Sequence, residues 1–289
     1  MNKIAILITC FNRKDKTIKC LTSLYKALDL YTAEMKFDVF LVDDGCTDGT
    51  SNAIKELFPT VNIICGSGQL FWSGGMRLAW KTALMKDIKF DAFLLLNDDV
   101  ILNEDFFSSL LVSHEFCLKK YSQSGIYVSS TKDMASSKIS YGGTLITRRG
   151  IRIKSNLVKP SDTPIVCTMA NANILMVTKS VVDKIGILDE RYNHQFADFD
   201  YTFVASKKRI PVLVCPGFGG YCDDDHGKDW VGPGSSLKKR INFLYNPLGL
   251  SYKDQIYYLK KNFKFQFPYY FLMLWLKTFF PFVWEKYKK

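Results

Sequence analysis

The stretch Phe93-Leu94-Leu95-Leu96-Asn97-Asp98-Asp99-Val100 constrains the fold of this chain more than any other segment. Four apolar residues run directly into an amide and two carboxylates. An unbroken apolar run of this length predicts a strand that is buried on both faces, as in a parallel sheet. The polar cluster then lies at the carboxyl end of the strand, where open α/β sheets bind their ligands. The same residues also suit a turn or a helix cap, so both interpretations stay open at this point.

The two adjacent carboxylates in this stretch, Asp98 and Asp99, indicate a charged ligand. Neighbouring carboxylates repel each other unless a cation or hydrogen-bond donors share their site. Hard divalent cations such as Mg²⁺ favour a few carboxylates together with phosphate oxygens. The stretch is therefore compatible with a divalent metal ion and a phosphorylated ligand.

Short apolar runs alternate with amphipathic segments through the first hundred residues. Strands are predicted at residues 3–9, 37–42, 61–65 and 93–96, and helices at 15–28, 51–58 and 76–86. This alternation predicts an α/β fold with a parallel sheet and right-handed crossovers. The pattern is mixed further on, with helices at 106–119, 179–185 and 199–208 and strands at 125–130, 140–147, 165–177 and 211–215.

Residues 228–289 form a basic and aromatic extension to this pattern. They contain 12 Lys or Arg against 3 Asp or Glu, whereas the whole chain carries a net charge of +11. Helices are expected there, with Pro247 and Pro268 as breakers. A surface of this charge indicates an anionic partner, which is a membrane, a nucleic acid or a phosphorylated substrate. No long Ser, Gly or Pro tract divides residues 1–227, which we expect to form one unit.

Eight cysteines are scattered along the chain without a C-x-x-C pair or a zinc-binding spacing. Isolated thiols of this kind are typical of the reducing cytosol. The first residues lead directly into a predicted strand and predict no secretory signal. We therefore expect a cytoplasmic protein.

Polar clusters follow three of the predicted strands, at residues 9–13, 43–48 and 97–99. Because the carboxyl ends of parallel strands meet at one edge of a sheet, these clusters are expected to form one site. They combine backbone donors, an arginine and several carboxylates, which suits a nucleotide diphosphate held through a metal ion.

Six motifs in order resemble those of family-2 glycosyltransferases, which are inverting enzymes of the GT-A fold that use nucleotide sugars. The motifs are Thr9-Cys10-Phe11-Asn12-Arg13, Val42-Asp43-Asp44-Gly45-Cys46-Thr47-Asp48-Gly49-Thr50, Phe71-Trp72-Ser73-Gly74-Gly75-Met76-Arg77, Leu95-Leu96-Asn97-Asp98-Asp99-Val100, Asn171-Ala172-Asn173-Ile174-Leu175-Met176 and Phe196-Ala197-Asp198-Phe199-Asp200-Tyr201. The likeness covers roughly residues 3 to 226, and within the family the chain resembles rhamnosyltransferase-like members. It implies a nucleotide-sugar half at 1–104 and an acceptor half at 105–227.

The resemblance also implies roles for residues that would bind the donor. Thr9, Phe11 and Arg13 match the first nucleotide-contacting loop, and Arg77 matches a basic residue near the donor. Either Asp43 or Asp44 matches the acid that reads the base, because a carboxylate accepts from the N3–H of uracil or thymine.

Asn97-Asp98-Asp99 matches the D-x-D motif of the family, with Asn in place of the first Asp. Asp99 is then the expected ligand of Mg²⁺ or Mn²⁺, and Asp98 is expected to face the donor sugar or ribose.

The general base of the family matches Asp198, with Asp200 as the alternative. Many members have a Glu directly before this acid, but Ala197 stands there in this sequence. Both acids would also suit the N-terminus of the helix predicted after them, where the helix dipole favours negative charge. This structural role and a catalytic one are compatible.

We expect different roles for the three histidines. His114 is expected to be structural or exposed, and His194 to line the acceptor site. His226 lies in the run Cys222-Asp223-Asp224-Asp225-His226-Gly227 and is a candidate second metal ligand. A solvated acidic loop is the alternative for this run.

Other functions fit the sequence less well. Gly66-Ser67-Gly68 lacks the third glycine of a dinucleotide fingerprint, which argues against a dehydrogenase. A nucleotidyltransferase of similar fold, or a carbohydrate- or membrane-binding module without activity, remains the alternative function. Nucleic-acid binding is suggested by the basic extension alone and is not expected, and oligomers remain possible.

The extension contains a run from Pro268 to Trp284 with eight aromatic residues in 17. A spanning helix needs about 20 predominantly apolar residues, so this run is expected to lie on a membrane without crossing it. A core helix or a dimer contact is the alternative. Membrane attachment would place the enzyme at the inner face of the plasma membrane, near a lipid-linked glycan acceptor in bacterial surface polysaccharide synthesis.

Overall fold

The structure is a computed structural model that describes residues 1–31, 35–223 and 234–282. Strands and helices alternate through its first half. The strands there are β1 (Lys3–Cys10), β2 (Lys36–Asp43), β3 (Asn62–Cys65), β4 (Ala92–Leu96) and β5 (Ile101–Leu102). The helices there are α1 (Lys14–Leu28), α2 (Thr50–Leu57), α3 (Phe71–Leu84) and α4 (Phe106–Tyr121).

The second half is richer in short strands. Its strands are β6 (Ile126–Lys132), β7 (Ile139–Tyr141), β8 (Gly143–Arg149), β9 (Arg152–Leu157), β10 (Ile165–Val166), β11 (Met169–Ala170), β12 (Ile174–Thr178) and β13 (Val212–Tyr221). Its helices are α5 (Lys179–Ile185), α6 (Ala197–Lys207), α7 (Leu237–Tyr245), α8 (Tyr252–Asn262) and α9 (Phe267–Phe279).

The main sheet has the strand order β10-β13-β6-β12-β4-β1-β2-β3, with β5 paired to β13 and β7 paired to β6. Strands β4, β1, β2 and β3 are parallel to one another, and β6 is parallel to β13. Strand β12 joins these two groups and runs antiparallel to both β4 and β6. The mostly parallel sheet with flanking helices confirms the predicted α/β fold of GT-A type.

Strand β4 lies at the centre of this sheet and is buried on both faces, as predicted. Phe93 and Leu95 pack into the core on the side of α3, which contains Trp80. Leu94 and Leu96 point to the opposite core, on the side of α1 and α4. Because alternate residues of a strand face opposite sides, an all-apolar strand is required where both faces are covered. Each such side chain stabilises the fold by about 1.5–3 kcal/mol through burial.

A second, three-stranded antiparallel sheet has the order β11-β8-β9. The β8–β9 hairpin has many exposed residues and leads outward from the main core. The sequence pattern did not predict β9, because its residues alternate polar and apolar only weakly.

Several predicted elements differ from the structure. The strand expected at 140–147 is divided into β7, which pairs with β6, and β8, which pairs with β9. The single strand expected at 165–177 is divided into β10, β11 and β12, because these three pieces pair with β13, β8 and β4 in turn. Pro268 does not end a helix but lies in the first turn of α9. Proline is tolerated there because the first turn leaves its N–H positions without helical partners.

The basic extension is helical, as expected, and its helix α8 packs on the main core. Tyr258, Leu259 and Phe263 belong to the same buried cluster as β4 and α3. The boundary expected between residues 227 and 228 lies outside the described residues, so the division into domains stays a proposal. Among the residues that the structure describes, no helix is long and apolar enough to cross a membrane.

Candidate active site

The loops after β1 and β4 meet through the side chain of Arg13. Its Nη1 lies 3.0 Å from Oδ1 of Asp98 and 2.9 Å from Oδ2 of Asp99. The loop after β2 joins them, because Lys14 donates its backbone N–H to Asp48 at 2.9 Å. The ends of these three strands therefore lie together at one edge of the sheet.

Asp98 and Asp99 differ in their surroundings although they are adjacent. Asp98 is 5% exposed and is also contacted by the hydroxyl of Thr17 at 3.4 Å. Burial raises the pKa of Asp98 to about 6, although the Arg13 guanidinium opposes this shift. The side chain of Asp99 is 14% exposed, and its Oδ1 lies 3.5 Å from Sγ of Cys222. Asp99 is thus the more exposed of the two acids.

Asn97, at the first position of this motif, faces helix α3. Its Oδ1 accepts a hydrogen bond from Nε1 of Trp72 at 2.8 Å, and its backbone N–H donates to Asn173 at 3.1 Å. An aspartate at this position would also accept from the indole. The asparagine therefore positions the motif without adding a negative charge.

A cavity of about 140 Å³ lies beside Asp99, between α1 and the end of β13. It is lined on one side by Lys16 and Lys19 and on the other by Tyr221 and Asp223. The two lysines thus share the lining of the cavity with two carboxylates, those of Asp99 and Asp223.

Asp43 and Asp44 both stabilise loops. Asp43 accepts hydrogen bonds from the Ser51 hydroxyl and from the backbone N–H of Cys46. Burial alone would raise the pKa of Asp43, but these hydrogen bonds outweigh it and hold that pKa below its ordinary value. Asp44 is 4% exposed and accepts three backbone N–H groups, from Gly68, Leu70 and Phe71, at 2.8–3.1 Å.

The contacts of Asp44 explain why α3 begins at Phe71, five residues before the predicted start. Two of the N–H groups that it accepts belong to the beginning of this helix, which leaves such groups without helical partners. Gly75 then lies directly against Thr9, where a Cβ atom would collide with the threonine hydroxyl. The absence of a side chain at Gly75 therefore allows the beginning of α3 to approach β1.

The remaining predicted donor residues are spread along this edge of the sheet. Thr9 is buried under α3, and Phe11 is 52% exposed at the rim. Arg77 donates from Nη1 to the carbonyl groups of Asp189 and Tyr192, at 3.1 and 2.8 Å. In the structure Arg77 thus ties α3 to the segment that precedes α6.

Asp198 lies in the first turn of α6. Its Oδ1 accepts the backbone N–H of Phe199 at 2.8 Å, and its Oδ2 accepts that of Ala172 at 3.0 Å. Burial raises the pKa of Asp198 to about 6, although the two N–H groups oppose the shift. A carboxylate with this pKa is a suitable general base near neutral pH.

A short series of contacts links Asp198 to the end of β4. Ala172, which donates to Asp198, precedes Asn173, and the Asn173 amide lies 3.4 Å from Sγ of Cys222. The same sulfur contacts Asp99. The candidate base and the candidate metal ligand therefore border the same part of the sheet edge.

Asp200 is buried and holds two elements of the fold together. It is 2% exposed, and its two oxygens lie 2.6 Å from Nζ of Lys261 and 2.5 Å from the amide of Asn262. Both partners come from α8. Asp200 therefore connects α6 to the basic extension and is turned away from solvent.

The histidines have different positions. His114 contacts the Tyr127 hydroxyl at 3.0 Å, which confirms a structural role. His194 contacts the backbone N–H of Trp72 at 3.4 Å and lies near the ring of Phe71. His226 lies outside the described residues.

No cluster of three or more His, Cys, Asp or Glu side chains that could hold a metal ion is present in residues 1–31, 35–223 and 234–282. The donors present nevertheless fit a cation shared with a diphosphate. Asp99 provides a hard, partly exposed oxygen, and Mg²⁺ and related ions take most of their other ligands from water and phosphate.

Several site residues were not found from the sequence. Trp72 fixes Asn97, Cys222 contacts Asp99, and Asp254 accepts the backbone N–H groups of Asn193, His194 and Gln195 at 2.9–3.2 Å. The sequence does single out Asp254, because it is one of only three acids in the basic extension. The others are ordinary apolar or thiol residues whose partners are distant in sequence.

Three solved structures share the fold at low sequence identity. TarS 1–349 of S. aureus in complex with UDP is 15% identical, with a TM-score of 0.53, and the match covers 91% of this chain and 72% of that chain. The mannosyltransferase PcManGT of Pyrobaculum calidifontis with GDP-Man and Mn²⁺ is 10% identical, with a TM-score of 0.51 and shares of 84% and 62%. GalNAc-T7 with UDP, GalNAc and Mn²⁺ is 11% identical, with a TM-score of 0.56 and shares of 90% and 54%.

A comparison with curated proteins finds no match. The family model described as Glycosyl transferase family 2 matches residues 5–167, which is more than half of the chain. This match includes the loops after β1, β2 and β4, which meet through Arg13 and Lys14. The resemblance inferred from the motifs is thereby confirmed, and the chain belongs to glycosyl transferase family 2.

Proposed function

We propose that this chain transfers a sugar from a nucleotide-diphosphate sugar to an acceptor hydroxyl with inversion, and that Asp198 is the general base. The observation that carries the proposal is the partly buried Asp198 carboxylate on the edge that also holds Asp99, with its pKa raised to about 6. Glycosyl transferase family 2 membership supports sugar transfer in general.

The proposed reaction is a single displacement. Asp198 takes the proton of the acceptor hydroxyl while the hydroxyl oxygen forms a bond to the anomeric carbon of the donor. The bond between that carbon and the diphosphate oxygen breaks, and the nucleoside diphosphate leaves with the bonding electrons. Proton removal by a positioned carboxylate typically contributes about 10²–10⁴-fold to the rate.

We propose that a divalent cation, Mg²⁺ or Mn²⁺, takes part in donor binding. Asp99 would hold this cation, whose chemistry is to neutralise the diphosphate as it leaves. Arg13, Lys16 and Lys19 supply further positive charge at this edge. His226 remains a proposed second ligand.

We propose a UDP- or dTDP-linked hexose or rhamnose as the donor. The structural relatives named above hold UDP or GDP-mannose, which supports a nucleotide sugar without identifying the base. Asp43 is the more exposed of the two acids, at 9% against 4% for Asp44. We therefore favour Asp43 as the acid that accepts from the N3–H of the base.

We also propose contact with the inner face of a bacterial plasma membrane, with a lipid-linked glycan as the acceptor. Helix α9 and the residues after it expose four large apolar side chains, Leu272, Phe279, Phe280 and Phe282, to 45–64%. The eight cysteines are all free, which supports a reducing compartment. Leu272→Ser with Phe279→Ser should weaken binding to anionic vesicles if this contact exists.

A screen of UDP-, dTDP- and GDP-sugars with Mg²⁺ or Mn²⁺ tests the proposed activity. Donor hydrolysis should release sugar of the anomeric configuration opposite to that of the donor, as seen by proton NMR at early times. Release with retained configuration would contradict inversion. The absence of hydrolysis and transfer with every donor would contradict the proposed activity.

A further inference from the structure

Two turns of the chain lie side by side at the amino end of α9. The amide of Gln266 donates to the carbonyl of Gly150 at 3.3 Å, and the Tyr270 hydroxyl bonds both backbone groups of Ile153, at 2.7 and 3.1 Å. These contacts fix the turn of the β8–β9 hairpin against the turn that joins α8 to α9. We refer to the exposed residues of these turns, Arg149, Ile151, Arg152, Lys264 and Phe265, as the two-turn patch.

The two-turn patch combines exposed apolar tips with cations. Phe265 is 75% exposed and Ile151 is 42% exposed, and the three basic side chains are exposed as well. The hairpin places an arginine on each side of Ile151, separated from it by at most one residue. This arrangement resembles the apolar and basic composition of surfaces that enter a lipid headgroup layer.

The two stretches of chain that form the patch are basic. The sequence contains no Asp or Glu from residue 143 to 161 or from residue 263 to 282. The cations of these two stretches are Arg148, Arg149, Arg152, Lys154, Lys159, Lys264 and Lys277. A second copy of the chain is a poor occupant, because a symmetric contact would bring like charges together.

We infer that the two-turn patch docks on an anionic lipid bilayer, with Ile151 and Phe265 entering the headgroup region and the three cations pairing with lipid phosphates. This inference rests on the membrane contact proposed above and adds the hairpin to it. Within α9, Leu272 precedes Phe279 by seven residues, a spacing that keeps helical residues on one face, and Phe265 lies in the turn directly before this helix. The patch and α9 would then contact the membrane together and fix the orientation of the sheet edge above it.

The experiment compares two variants of the patch with two matched variants elsewhere. Ile151→Ser with Phe265→Ser removes the apolar tips, and Arg149→Glu with Arg152→Glu reverses the charge. The controls are Met85→Ser with Ile88→Ser and Lys86→Glu with Lys89→Glu. The control residues are exposed in the loop that precedes β4, at the edge of the sheet opposite the site.

Binding is measured by sedimentation of the full-length proteins with vesicles of phosphatidylcholine, with and without phosphatidylglycerol. The wild type should sediment with the anionic vesicles alone, and each patch variant should lose about tenfold or more of this partitioning. The controls should bind like the wild type. Thermal unfolding and nucleotide-sugar binding should be unchanged in all four variants, because every substituted side chain is exposed.

Several outcomes would overturn the inference. The inference is wrong if the patch variants sediment with anionic vesicles like the wild type. It is also wrong if only Leu272→Ser with Phe279→Ser loses binding, because the contact then belongs to α9. Loss in the charge variant but not in the apolar variant, with equal loss on heparin, would indicate a soluble polyanion instead of a bilayer. A wild type that turns over a donor but ignores anionic vesicles would overturn the inference and leave the proposed sugar transfer intact.

Discussion

Nζ of Lys261 lies 2.6 Å from Oδ2 of Asp200, so the second acid of the run from 198 to 200 is bound to helix α8. Asp198, two residues earlier, accepts only backbone N–H groups in the hydrogen bonds described above. The two acids thus have different surroundings, although both lie in the first turn of α6. This difference is the reason for assigning the base to Asp198.

The ion pair of Asp200 with Lys261 should stabilise the fold without serving catalysis. Lys261→Met leaves a buried carboxylate without its cation, which should lower the free energy of unfolding by roughly 2–5 kcal/mol. Urea unfolding measures this change, and Lys253→Met, an exposed lysine on the same helix, is the control. An unchanged unfolding midpoint in Lys261→Met would show that the pair contributes little.

Replacement of the proposed base should separate catalysis from binding. Asp198→Asn should leave nucleotide-sugar binding nearly intact and reduce transfer or hydrolysis by about 10²-fold or more, because the proton acceptor is lost. The comparison variant is Asp200→Asn, assayed at a temperature where it is folded. If Asp200→Asn shows the catalytic loss and Asp198→Asn does not, the assignment is wrong.

The raised pKa of Asp198 predicts how activity depends on pH. A base must be deprotonated to accept a proton, so kcat/KM should rise with pH and reach half of its plateau near pH 6. An ordinary aspartate would instead give a midpoint near pH 4. A profile that is flat from pH 5 to 8 would contradict this environment of Asp198.

The raised pKa of Asp198 also predicts how stability depends on pH. Its contribution to the free energy of unfolding should fall as pH rises, whereas that of an ordinary ion-paired acid rises. Burial makes the folded state bind the Asp198 proton more tightly than the unfolded state does, so this contribution is present below about pH 4 and is lost as pH rises through about 6. The unfolding free energy of wild type minus that of Asp198→Asn should therefore fall by roughly 1–3 kcal/mol between pH 4 and 7. Equal pH dependence of the two proteins would show that the pKa is not raised.

Much of the site could be predicted from the sequence, because its residues follow buried strands. The apolar run of β4 fixed the position of Asp98 and Asp99, and parallel pairing brought Arg13 to them. The partners of Asp200 could not be predicted, since Lys261 is 61 residues away and α8 reaches it only through packing of the whole extension. The role of Asp44 as a cap for α3 could not be predicted either, because its N–H partners lie 24 to 27 residues further along the chain.

Removal of the proposed metal ligand should abolish metal-dependent donor binding. Asp99→Ala removes the partly exposed carboxylate oxygen at the end of β4, whereas Glu104→Ala removes an exposed acid nearby and serves as the control. Calorimetry with Mn²⁺ and with chelator measures the effect. Equal donor affinity of Asp99→Ala and wild type under both conditions would exclude Asp99 as the ligand.

The most direct test of the account is the release of nucleoside diphosphate from a panel of nucleotide sugars by the wild type, Asp99→Ala and Asp198→Asn, with donor affinity measured in parallel. The proposed mechanism predicts that the wild type binds and slowly hydrolyses at least one donor when a divalent cation is present. Asp99→Ala should fail to bind that donor, and Asp198→Asn should bind it but release diphosphate at least about 10²-fold more slowly. Hydrolysis by Asp198→Asn at the wild-type rate, or no binding of any nucleotide sugar by the wild type, would contradict it.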